Sequence, residues 1–177
     1  MPVLVLGEAP DKSLLPIQVD ADGAALMVSQ DALFEATLSL DTNAYADGDV
    51  LAATQQLDGT AFTENGGIAI VQSIQVIDLD DQAQDLDILL LRSNVSIGTE
   101  NSAVSVSDAN ADEIVAIIQV TSTDYVDLVN SQIAIIDNVG QMIEAASDDD
   151  GLYIAAISRG TGTYTASGII VRVGLLR

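Results

Sequence analysis

Short apolar runs recur along most of this chain, and each is closed by a cluster of Gly, Asp, Asn or Ser. They are the length of strands, and helices of ten or more residues do not alternate with them, which argues against an α/β fold. "PIQVDADGAALMVSQD" reads as a hairpin turning at Asp22-Gly23. "LFEATLSL", "VLAATQQL", "GIAIVQSIQVIDLD", "LDILLLRS", "EIVAIIQVTS", "LYIAAISRG" and "GIIVRVGLLR" continue the series. This spacing predicts an all-β chain: a two-sheet β-sandwich, jelly-roll-like, with one or two short helical turns. The turns are expected near residues 108–113, where Ser107 can cap, and near 123–128.

The core must be aliphatic. Hydrophobic residues make up 49% of the 177 positions, yet aromatics are 3% and Trp is absent. Such residues suit a flat layer between sheets better than a deep ligand pocket. Residues 1–16, with Pro2, Pro10 and Pro16, read as an N-terminal arm, and 17–177 as a single sandwich domain. The opening "MPVLVLGEAPDK" has no basic n-region, so a signal peptide is not expected. No uncharged apolar run approaches the ~18 residues of a membrane helix, so the expectation is a soluble protein.

Charge removes several function classes. The net charge is −22, and the basic residues are Lys12, Arg92, Arg159, Arg172 and Arg177. They are too few to form the footprint that nucleic acid or an anionic membrane requires. With no Cys and no His, thiol catalysis, disulfides, Ser–His pairs and the usual zinc sites are excluded. Lys12 is the single lysine and lies in the arm, which disfavours a Ser–Lys dyad.

The remaining candidates for chemistry are acidic. "DLDDQAQDLD", with Asp78, Asp80, Asp81, Asp85 and Asp87, can be read as a calcium loop, but a solvated hairpin loop is the preferred reading. "DANADE" matches a calcium loop at Asp108, Asn110 and Asp112, then fails at Glu113 and Gln119. A carboxylate pair for glycoside hydrolysis carries no signal among 27 acids. "DTN" at Asp41 and "DGT" at Asp58 miss the aspartic protease order. "SRGTGTYTASG" reads as a turn between strands. Tyr45, alone between turn clusters in "DTNAYADGDVLAATQQL", is expected to fold over a sheet edge and bond its hydroxyl to nearby backbone. No catalytic, cofactor-binding or metal-binding residue is expected.

Four segments, in order, carry a resemblance: "DTNAYADGDVLAATQQL"; "GIAIVQSIQVIDLDDQAQDLDILLL"; "SDANADEIVAIIQV" followed by "TDYVDL"; and "LYIAAISRGTGTYTASGIIVRVGLLR". Over residues 15–177 the chain resembles a family of small tailed-phage virion structural proteins of the head decoration, or capsid cement, type. The resemblance implies a non-enzymatic virion protein on the outer surface of the head, partnered by the major capsid protein and by itself as a homotrimer. A phage tail or baseplate component is the alternative within that class. A carbohydrate-binding surface module is the alternative outside it, opposed by the scarcity of aromatics. In a clasping role the arm offers Val3, Leu4, Val5, Leu6, Leu14 and Leu15 as partner-binding residues, apolar enough to dock and too short to fold alone.

Overall fold

A computed structural model describes residues 6–8, 14–16 and 31–177. The chain divides into two compact units, Met1–Gln30 and Asp31–Arg177. In the first, β1 (Leu6–Glu8) pairs antiparallel with β2 (Leu14–Pro16), placing Gly7 opposite Leu15. The hairpin expected at Asp22-Gly23 lies outside the described residues.

The second unit holds nine strands: β3 (Asp31–Thr37), β4 (Val50–Gln56), β5 (Ile68–Asp78), β6 (Leu86–Leu91), β7 (Ile114–Val120), β8 (Tyr125–Asp127), β9 (Gln132–Glu144), β10 (Tyr153–Ser158) and β11 (Ile169–Leu176). They form two antiparallel sheets, in the orders β3-β11-β5-β9-β8 and β4-β10-β6-β7. Apart from the short edge strand β8, successive strands change sheet at every step except β6 to β7. That is the strand order of a jelly roll. The β-sandwich expected from the sequence is present, and its jelly-roll character is read from this order.

Alternation explains the layers. Along β11, Ile169, Val171, Val173 and Leu175 are buried while their neighbours are half-buried. These side chains meet Leu51, Ile88, Leu90, Ile118 and Ile154 of the facing sheet in one core. β6 is buried at every position, because both of its faces are covered. Leu86, Ile88 and Leu90 face the main core, whereas Leu89 and Leu91 join Val50, Ala155 and Ile157 in a second cluster around Ile97. Segment 92–107 supplies that cover. It is pinned by backbone bonds from Val50 N–H to Ser102 O (2.9 Å) and from Val104 N–H to Gly48 O (2.9 Å).

Two local expectations meet the structure differently, and one strand was not expected. The first helical turn is α1 (Asp108–Ala111), whose Asn110 N–H donates to the Ser107 hydroxyl at 3.2 Å. The second is shorter than expected: a 3-10 turn covers Ser122–Asp124, after which Tyr125–Asp127 runs as strand β8, because it pairs with β9 at Ala134, Ile133 and Gln132. The longest strand, β9, has no counterpart in the sequence reading. Its "DNVG" looks like a turn, but two extra residues are accommodated as a bulge. Val71 faces Gln141 and Ser73 faces Asp137, while Asn138 (φ 57°) and Gly140 (φ 68°) take the left-handed conformation.

Candidate interaction surfaces

The acidic run "DLDDQAQDLD" is not a solvated hairpin loop. It crosses from β5 in one sheet to β6 in the other, and its carboxylates are engaged. Asp78, buried at the end of β5, accepts N–H bonds from Asp80 (2.9 Å), Gln82 (2.8 Å) and Ala83 (2.8 Å). Those bonds satisfy a charge that burial would otherwise penalise. Asp81 accepts from the Gln132 amide at 2.9 Å, Asp85 from Ser122 N–H at 2.5 Å, and Asp87 pairs with Arg159 Nη2 at 2.6 Å.

A second pattern locks this crossover to the Gly- and Thr-rich loop. The Asp80 carboxylate accepts Thr165 N–H at 2.7 Å, Gln82 Oε1 accepts Thr163 N–H at 3.3 Å, and Gln84 Oε1 accepts Thr161 N–H at 3.1 Å. Every second side chain of one loop thus bonds every second backbone amide of the other. Gly160 and Gly162 leave the room in which the Gln84 side chain lies. The sequence does contain this signal: polar residues two apart in both loops.

Tyr45 sits as expected and proves architectural. Its ring is buried, tilted 57° against Tyr164 with centroids 6.2 Å apart. Its hydroxyl accepts Asp41 N–H at 2.7 Å and reaches Leu51 O at 3.1 Å. Burial raises the phenol above its ordinary value, and the same cause raises Tyr125 and Tyr164. "DANADE" is likewise structural. Arg92 bridges Asp112 (2.7 Å) and Glu113 (3.1 Å), and Asn110 Nδ2 donates to Ser96 O at 2.8 Å. The Ser93 hydroxyl, then the Arg92 guanidinium, hold Glu113 below its ordinary value. Among the described residues, no group of three or more acids is placed to hold a metal ion.

The arginines are engaged too. Arg172 binds Glu35 (2.7 Å) and Gln75 (3.1 Å), and Arg177 donates to Thr60 O (2.6 Å) while lying over the Phe34 ring. With Arg92 and Arg159, every arginine of the chain has an internal acceptor.

Apolar surface remains. Thr37, Ile170, Ile77, Ile133 and Val126 stand side by side across β3, β11, β5, β9 and β8, on the outer face of their sheet. Val126 is 63% exposed and Ile135, on the same face, 55%. Its sequence signal lies in β5, which is apolar at both parities: Ile68, Ile70 and Ile77 outward, Ala69, Val71, Ile74 and Val76 inward. Of the arm residues named from the sequence, Leu6, Leu14 and Leu15 lie on the β1–β2 ladder, with Leu6 opposite Pro16 and Leu14 opposite Glu8. Val3, Leu4 and Val5 lie outside the described residues.

No family model matches the chain, and no curated protein does. Among solved structures, it aligns with the infectious bursal disease virus Gx strain at 12% identity and a TM-score of 0.19, covering 99% of this chain and 46% of the other. The VP2 subviral particle of the same virus aligns at 10% identity and a TM-score of 0.20, covering 98% and 45%. The chain thus spans less than half the length of these solved chains. These weak neighbours are viral capsid proteins, but the jelly-roll assignment rests on this chain's own strand order.

Proposed function

We propose that this chain is a non-enzymatic structural protein of a virus particle, a decoration or cement protein on the outer surface of a tailed-phage head. The observation that carries the reading is how the molecule divides its side chains. Its acidic loops and its arginines are consumed in holding the sandwich together, and the surface left over is apolar and acidic rather than reactive. A cement protein needs a rigid body, an apolar patch and a segment that clasps the shell. The resemblance supplies the phage and the head. A jelly roll by itself hosts many functions, so the fold adds only compatibility.

The carbohydrate-binding alternative loses its platform. Tyr45, Tyr164 and Phe62 are buried, Tyr125 and Tyr153 pack against the two cores, and Phe34 lies under Arg177. In the proposed assembly the apolar row on the outer sheet face meets other copies in a homotrimer, and residues 2–14 clasp the major capsid protein. The test is co-sedimentation with shells lacking this protein. Deleting residues 2–14 is expected to leave a folded body that binds much more weakly, with little response to salt. Equal binding by the truncated chain would remove the arm from the mechanism. Release of the intact chain by salt would transfer attachment to acidic contacts.

A further inference from the structure

The two sheets leave four edges, and three are guarded. β3 carries Asp31 and Glu35. β8 is three residues long, preceded by Asp124 and ended by Asp127. β4 is tied into the chain through Val50, which bonds Ser102 and Asn101, and through Gln55, whose amide donates to Thr37 O at 2.9 Å. Charges, brevity and cover are the usual defences of an exposed edge. Among the described residues β7 has none of them within its own span, and it pairs with β6 on one side only. From Ile114 to Thr123 the chain carries neither charge nor proline, in a protein with 27 acids. Ile117, at the middle of β7, is 58% exposed.

The open side beyond β7 is shaped as a groove. Its far wall is β9 from Ile136 to Glu144, where among the described residues no strand pairs with the outer edge. Val115 and Ile117 face Ile136, Val139 and Met142 across it. The β9 bulge at Asn138 and Gly140 spoils that strand for pairing, whereas β7, shifted by one residue at Val115, runs in unbroken register from Ala116 to Val120 and offers that stretch as the template. Exposed Asp137 and Glu144 rim the groove.

We propose that β7 is a strand-addition site for an extended segment of another protein, one that alternates apolar with basic side chains. Backbone pairing to β7 supplies affinity, and the apolar side chains fill the groove. Basic side chains answer Asp137 and Glu144, and this chain's own arginines are already engaged elsewhere. A second copy fits less well, because it would bring the same two acids and another −22 of charge to the contact. The proposal stands apart from the virion reading: any partner presenting such a strand satisfies it.

The experiment is selection of short random peptides on the full-length chain, followed by amide hydrogen exchange with the enriched peptides. The expected winners alternate Val, Ile or Thr with Lys or Arg, and slow exchange across residues 114–120. Ile117→Lys, or Gln119→Lys if the first fails to fold, is expected to weaken binding about tenfold or more. Asp137→Asn with Glu144→Gln is expected to weaken it less and to flatten its salt dependence. Failure to enrich any peptide overturns the proposal. So do winners without basic residues, or protection that falls outside β7. Exchange at 114–120 that slows with the protein's own concentration, peptide absent, would assign the edge to a second copy instead.

Discussion

Asp78 is where a single side chain holds most. Its carboxylate gathers three backbone amides at the sheet-to-sheet crossover. Asp78→Ala leaves those donors unpaired and is expected to cost about 3 kcal/mol, measured by urea unfolding. A loss below ~1 kcal/mol would mean that the loop rearranges. The tyrosines give the alkaline limit. For Tyr45, Tyr125 and Tyr164 the folded value is raised above the ordinary 10.0, so their stabilisation is complete below pH 10 and is lost as pH rises toward the folded values. Tyrosinate absorbance should therefore appear for these residues together with unfolding, not before it. Glu113 sets the opposite limit. Its value is held below the ordinary 4.5, so its contribution is complete above that pH and fades below it. The melting-temperature gap between the wild type and Glu113→Gln should accordingly close as pH falls from neutral to acid; a constant gap would contradict the pairing with Ser93 and Arg92.

At the scale of elements, seven strands were legible because their apolar runs end in turn residues, as "VLAATQQL" and "GIIVRVGLLR" do. β9 was not, because Asn138 and Gly140 look the same whether the chain reverses or bulges. Only a partner strand of fixed register, here β5, decides between them. The acidic crossover failed for a related reason. Whether Asp80, Gln82 and Gln84 face water or Thr165, Thr163 and Thr161 depends on a loop 77 or more residues away in sequence. Tyr45 was legible because its partners, Asp41 and Leu51, are its near neighbours. The outer apolar row was hidden because it needs five strands in register. The bulge has a direct test. A Cβ at Gly140 would meet nothing closer than Asn138 O at 3.9 Å, so Gly140→Ala costs only its left-handed φ of 68°. That is about 1–2 kcal/mol, read as a lower urea midpoint with an unchanged slope.

For the whole molecule, one tension governs. Each copy carries −22 of charge, which opposes association, while Ile170, Ile77, Ile133 and Val126 present an apolar row that favours it. Self-association should therefore strengthen with salt, and Val126→Asp should abolish it; sedimentation showing a monomer at every salt concentration would remove the homotrimer. The most direct test of the virion reading is to count this chain in purified particles of the virus that encodes it, by quantitative mass spectrometry against the major capsid protein. A copy number comparable with that of the shell protein is expected of a head decoration protein. A handful of copies would place the chain in the tail, and none would contradict a structural role in the particle.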